Sequence, residues 1–144
     1  MDTQILSPLK WAGSKRFLAK RVKPLINKEI RPDPLVTELF AGSLGFSLEM
    51  QFKRVVANDL NEAIINFYDQ IKQGNIPECH TWPIDEKSYY AYRDRYNELL
   101  ATNTFTSETA AILIYLNAIG FNGLYRTSLS GRFNVPFGKQ TNFP

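Results

Sequence analysis

Glu38, Gly42, Gly45 and Asp59 are residues of this 144-residue chain whose types and spacing could do chemistry. Glu38 sits in the β-branched run "LVTEL" at 35–39, which predicts a buried strand, and the loop "FAGSLG" follows it. Asp59 ends a second extended run, "RVVAND" at 54–59. In open parallel sheets ligands bind beyond the carboxyl ends of the strands, where such loops converge. Glycine lets the backbone approach a ligand with no β-carbon in the way. An acid at the tip of the second strand can accept hydrogen bonds from both hydroxyls of a ribose. The pattern implies an adenosine-type cofactor. The loop is Gly-x-x-Gly, neither Gly-x-Gly-x-x-Gly nor a P-loop, so a pyrophosphate cradle is poorly supported. An acid at Glu38 suits an ammonium group instead, and S-adenosylmethionine carries an ammonium, a sulfonium and a ribose without phosphate. The competing reading is that the glycines shape a tight turn and Asp59-Leu60-Asn61 caps a helix.

The elements that must position these residues can be read from pattern. Ser14 is a candidate N-cap for a helix with Phe17, Leu18, Val22 and Leu25 on its apolar face, while Lys15, Arg16, Lys20, Arg21 and Lys23 crowd the remainder. "RPDP" reads as a turn. A helix starts near Ser43, and another opens at Asn61, carries Ile64, Ile65, Tyr68 and Ile71 on one face, and stops at Gly74. This alternation argues for a parallel α/β sheet. Two helical patterns then follow with no strand between them, "DEKSYYAYRDRYNELLAT" and "SETAAILIYLNAIG". The spacing of Tyr89, Tyr90, Tyr92 and Tyr96 marks packing rather than base stacking. Extended segments around Ser130-Gly131 predict a β-hairpin. The boundary is expected near Gly74, giving a core part at 1–74 and a second lobe of helices and hairpin at 75–144. A doubly wound sheet has five or more strands and only two are legible, so the chain reads as part of a larger fold.

Composition narrows the class. The chain is 44% hydrophobic and 22% charged, with one cysteine, Cys79, and one histidine, His80. No run of about 18 apolar residues predicts a membrane span, and the first residues lack the pattern of a signal peptide. A lone cysteine favours a reducing, cytoplasmic setting. Cys79-His80 has no companion ligands, which argues against a zinc site, and no other metal set is expected. The net charge of +3 is unevenly placed: residues 1–35 carry +5, residues 36–121 carry −5 and residues 122–144 carry +3. Basic ends around an acidic middle are the pattern expected if both ends meet a polyanion, or of solvated termini.

The segments "LKWAGSK", "ELFAGSLGFSLE" and "NDLNEAIINFY" closely resemble the opening motifs of the Dam-type (D12 class) DNA adenine-N6 methyltransferases, and "FNGLYRTSLSGRFNVPFGK" resembles the hairpin of that family's target-recognition lobe. The resemblance covers roughly residues 8–139. It implies a partial Rossmann-like methyltransferase core with an inserted helical and β-hairpin DNA-recognition lobe. It also implies S-adenosylmethionine as methyl donor and double-stranded DNA as partner. Trp11, Lys15, Phe40, Ala41, Gly42, Gly45 and Asp59 match cofactor positions, with Glu38 beside them, and Lys10 lies near the target DNA. Base readers are expected between Asn122 and Pro136. Arg126 would donate to O6 and N7 of guanine, and Leu124 and Pro136 would meet a thymine methyl. Asn134 lies in the same segment, and Arg132 and Lys139 suit phosphates. "NGLYR" and "FNVPFG" resemble the version that reads GATC.

The same resemblance disposes of a false lead. Asn134-Val135-Pro136-Phe137 differs by one residue from the catalytic Asn-Pro-Pro-Phe of amino-methylating enzymes. It lies inside the hairpin, a few residues after Arg126, and Val135 replaces the proline that stiffens the catalytic backbone. The family's Asp-Pro-Pro-Tyr, which is expected later, does not occur in the 144 residues. The chain therefore reads as an N-terminal portion of an adenine-specific methyltransferase, without a catalytic residue of its own and active only with a C-terminal part, in the same chain or supplied by another. The alternative is a truncated DNA-binding relative that transfers no methyl group.

Overall fold

The computed structural model describes residues 6–76 and 78–144, so the reading of the extreme N-terminus as free of a leader lies partly outside the described residues. The chain folds as two compact units. The first holds residues 13–60 with the segment ending at Pro8; the second holds Leu9–Ala12 and Asn61–Pro144.

In the first unit, helix α1 (Arg16–Glu29), strand β1 (Leu35–Glu38), helix α2 (Gly45–Met50) and strand β2 (Arg54–Ala57) follow in order. β1 and β2 pair in parallel, with Leu35 opposite Arg54 and Glu38 opposite Ala57. The backbone extends that pairing past the strand ends, where the Asn58 N–H donates to Glu38 O at 2.9 Å and the Ala41 N–H donates to Asn58 O at 2.8 Å. The strands are less buried than their composition predicts. Leu35, Thr37, Arg54 and Val56 lie on an exposed face, while Val36, Glu38, Val55 and Ala57 are half-buried.

α1 departs from its predicted apolar face in the same way. Phe17 is 66% exposed and Leu25 64%, with Leu18 also exposed. Ala19 alone is buried. Arg16, Ala19 and Lys23 share one stripe at helical spacing, and that stripe meets α2. Arg16 Nε donates to Glu49 Oε2 at 2.8 Å, and Lys23 Nζ to the Glu49 carbonyl at 3.0 Å. One ion pair and one side-chain bond to backbone thus flank buried Ala19 where α1 meets α2. Lys15, not Ser14, occupies the N-cap position, and its side chain makes no cap bond.

The second unit is helical. α3 (Glu62–Gln73), α4 (Glu86–Ala101) and α5 (Ser107–Ile119) follow in order, with a short 3₁₀ turn at Cys79–Thr81 between α3 and α4. Each start is chemically specified. Asn61 Oδ1 accepts from the Ala63 N–H, Asp85 Oδ1 accepts from the Ser88 N–H, and Thr106 and Thr109 form a capping box. α3 ends on Gly74 at φ 72°, a left-handed stop that glycine adopts without strain. Its buried face is Ala63, Ile64, Asn66 and Phe67, and Ile71 is exposed, so the face lies one step round from that predicted.

α5 is apolar nearly all round and lies at the centre, with Thr109–Leu113 and Tyr115–Ile119 buried. It packs against α3 and α4. Tyr89 and Tyr96 of α4 are fully buried, and Tyr92 stacks on Trp82 with ring centres 4.3 Å apart. Burial raises the Tyr115 phenol to about 12, with Tyr92 and Asp85 adding to it, and its hydroxyl donates to Pro83 O at 2.7 Å.

After α5 the chain forms a loosely paired hairpin. Antiparallel bridges join Gly120 to Phe137 and Thr127 to Phe133, and the Ser128 N–H donates to Arg132 O at 2.8 Å across the tip. A 3₁₀ turn at Phe121–Gly123, with Asn122 at φ 54°, interrupts the outgoing arm and prevents a continuous ladder.

The Arg16–Glu49 pair gives a pH prediction. The hydrogen bond from Arg16 holds the Glu49 carboxyl below its usual value, with Lys20 and Lys23 assisting. A lowered folded-state value stabilises above the unfolded value and is lost as pH falls through the folded one. Thermal unfolding followed from neutral pH to below the ordinary glutamate range should show an acid loss, and Glu49→Gln should flatten that limb.

Candidate cofactor loop and nucleic-acid interface

Sequence places Glu38 and Asp59 at the ends of adjacent strands, and the parallel register brings both to the same end of the sheet. The loop between β1 and α2 is built there. The Gly42 N–H donates to Asp59 Oδ2 at 2.8 Å, a bond across 17 residues. Gly42 lies at φ 47° and Leu44 at φ 52°, so the loop takes two left-handed steps, and only the first falls on a residue free of β-carbon strain. The Leu44 N–H closes the turn on Ala41 O at 2.7 Å. Asp59 thus reaches back to the glycine loop, while Asn61 is the residue that caps α3.

The other loop residues have distinct surroundings. Ser47 Oγ donates to Glu38 Oε2, which orients that carboxylate. Ala41 is buried, and Phe40 projects outward at 84% exposure. A β-carbon on Gly45 would stand 2.3 Å from Ser14 Oγ, so the 13–15 turn lies close against the start of α2. Lys15 lies on that turn with Nζ donating to Gly13 O at 2.6 Å. Trp11 belongs to the second unit, where its ring stacks on Tyr125 with centres 5.0 Å apart. Carboxylates at two strand ends, small residues between them and no phosphate-binding glycine array fit a ligand with an ammonium and a ribose. Among the described residues no group of three or more His, Cys, Asp or Glu could hold a metal. An open cavity of about 330 Å³, lined by Asn27, Ile30, Asp33, Met50 and Phe52 among others, adjoins the "RPDP" turn at the start of β1, the opposite end of the strand from Glu38.

In the second unit the return arm alternates. Phe133 and Val135 are buried, and Asn134 and Pro136 are exposed. Val135 is a core residue, which accounts for its place in "NVPF". Across the hairpin Arg126 Nε donates to Asn134 Oδ1 at 2.7 Å, so the outward residues of both arms form one exposed polar surface. Asn122 and Lys139 are exposed, Leu124 is half-buried, and residues 122–144 contain no acid to offset Arg126, Arg132 and Lys139. Lys10 is exposed, and its stem lies against Gly123.

Side chains of α4 and α5 that belong to none of the sequence motifs hold this surface. Asn97 Nδ2 donates to Phe133 O at 3.0 Å, and its Oδ1 accepts from the Phe133 N–H at 2.7 Å. Tyr89 donates to Val135 O at 3.0 Å. Asn117 bonds to the backbone of Lys10 and Gly123. A polar residue inside the apolar run "AAILIYLNAIG" was the available signal for Asn117.

The sequence matches the family described as D12 class N6 adenine-specific DNA methyltransferase over residues 11–143. It is 31% identical to a DNA adenine methylase of Escherichia coli K12, over 94% of this chain and 49% of that protein. It is 33% identical to a DNA adenine methylase of Vibrio cholerae O395, over 94% of this chain and 50% of that protein, and 36% identical to one of Haemophilus influenzae Rd, over 90% and 46%. The chain spans about half the length of these curated relatives. No helix of the described residues is long and apolar enough to cross a membrane.

The Asp59–Gly42 bond is directly testable. Asp59→Ala should speed hydrogen exchange of the Gly42 amide by about tenfold or more, the size expected for losing a charge-assisted partner. Amides inside α3, capped by Asn61, should keep their protection.

Proposed function

The chain belongs to the D12 class N6 adenine-specific DNA methyltransferases, and from that premise we propose that it holds the methyl donor at the loop between β1 and α2 and reads duplex DNA with the hairpin arms. Its part in the family reaction is then recognition of substrate and donor for transfer of a methyl group to N6 of adenine. The donor proposed is S-adenosylmethionine, which when bound supplies an electrophilic methyl group. Glu38 would accept the ammonium and Asp59 the ribose hydroxyls, with Ala41, Gly42 and Gly45 leaving room for the ligand and Phe40 and Lys15 at its edge. Trp11 is proposed to contribute from the Lys10–Lys15 motif. Asp59 would do this while its bond from the Gly42 N–H ties the loop to the end of β2.

The observation that carries the DNA reading is the outward surface of the hairpin, where Arg126 and Asn134 are bonded side by side between exposed Asn122 and Pro136. Arg126 donates from Nε and Nη2 to Asn134, its remaining N–H groups would meet O6 and N7 of a guanine, and Leu124 and Pro136 would offer apolar contact to a thymine methyl. These contacts suit GATC. Arg132 and Lys139 would set the register on phosphates. The 144 residues contain no Asp-Pro-Pro-Tyr, so none of the residues named here is assigned the transfer step.

Two measurements test the proposal. Calorimetry with S-adenosylmethionine should show binding that Asp59→Ala abolishes; unchanged affinity would remove Asp59 from the site. Arg126→Ala should relax the preference for a GATC duplex over single-base variants by about 1–3 kcal/mol, with a smaller effect on nonspecific affinity. An equal weakening on every sequence, with a reduced salt slope, would make Arg126 a phosphate contact only.

A further inference from the structure

Asn117 touches neither of the proposed ligands, yet its amide is fully used. The residue is 2% exposed. Its Oδ1 accepts from the Lys10 N–H at 2.8 Å, and its Nδ2 donates to Lys10 O at 2.9 Å and to Gly123 O at 2.8 Å. An asparagine amide offers one acceptor oxygen and two N–H donors. Here every one of those three groups is spent on backbone, and the two backbone segments lie 107 residues away from it in one case and 6 in the other. The amide cannot flip without setting donor against donor at Lys10. Gly123 completes the contact. It stands at φ 62°, and a β-carbon there would lie 2.3 Å from Lys10 Cδ, so the lysine stem lies along the turn that opens the outgoing arm.

We propose that Asn117 is a positioning residue for DNA sequence recognition: it locks Lys10, expected near the target DNA, and the Asn122–Leu124 turn into one element, so that what Lys10 and Leu124 add to DNA recognition depends on Asn117. The inference rests on the DNA reading given above and assigns a further residue to it. α5 is the most buried helix of the unit, which gives the amide a rigid origin. Removing it leaves the Lys10 N–H and C=O and the Gly123 C=O without their partner, and they would turn toward water, taking the two segments out of register. Asn97 provides an internal comparison. It makes the same kind of two-point backbone contact, but to Phe133 on the return arm and not to Lys10.

The test uses the 144-residue chain and fluorescence anisotropy on a GATC duplex and on duplexes with one changed base pair. Asn117→Ser should reduce discrimination by about tenfold, the scale of one lost base contact, with affinity for site-free DNA falling by less than about threefold. The Lys10→Ala and Asn117→Ser effects should not add, because they remove one element, whereas Lys10→Ala and Asn97→Ser should add. Asn117→Asp keeps the volume and the acceptor but loses both donors, and in a variant shown to be folded by circular dichroism it should lose discrimination as well. Full discrimination by folded Asn117→Asp, or additive effects of Lys10→Ala and Asn117→Ser, overturns the inference while leaving the DNA reading in place if Arg126→Ala still relaxes specificity. A wild-type chain that does not discriminate at all overturns the DNA reading, and this inference with it.

Discussion

The interface depends on backbone groups being satisfied by buried amides. Lys10, Gly123 and Phe133 all belong to irregular segments, which have no helix or continuous ladder to absorb their N–H and C=O groups. A buried backbone group left without a partner costs about 1–3 kcal/mol. Asn117 on α5 and Asn97 on α4 together satisfy five backbone groups, one on Gly123 and two on Phe133 in buried bonds and two on Lys10 in partly buried ones. Two side chains on rigid helices thus give fixed positions to three loops. This is how a unit with only bridge-level pairing in its hairpin can present Asn122, Arg126, Asn134 and Pro136 in a defined arrangement.

The first unit solves a comparable problem with a carboxylate. A strand-to-helix loop of small residues has little side-chain packing to hold it, and Asp59 supplies one bond from the neighbouring strand end to Gly42. Ser47 does the same for Glu38 from the first turn of α2. The acids proposed to meet the donor are therefore also what shapes the loop. Arg16 and Glu49 then tie α1 to α2, and the 13–15 turn lies close against Gly45.

What was legible in the sequence was local chemistry. Asn61 as a cap, Gly74 as a stop, the β-branched runs at 35 and 54 and the polar turn at the hairpin tip each declare themselves within a few residues. The glycines and Asp59 were legible as a set because strand ends converge in a parallel sheet. The apolar stripe on α1 misled, since Phe17 and Leu25 are exposed and the helix meets α2 at buried Ala19, with Arg16 and Lys23 reaching Glu49, 33 and 26 residues away. Periodicity reports that a face is apolar, not which neighbour covers it. Trp11 beside Tyr125 and Lys10 beside Asn117 are contacts between opposite ends of the chain, and no local pattern encodes them.

The central claim is that the hairpin arms, not the basic surface of α1, read the DNA. Photocrosslinking from 5-iodouracil placed at the thymine of a GATC duplex tests it most directly, because the bond forms only where a side chain meets that base edge. Crosslinked peptides from residues 122–126 or 134–137 are the predicted result. Crosslinks confined to the α1 region, among Lys15, Lys20 and Lys23, would contradict it and reduce the hairpin to a structural element.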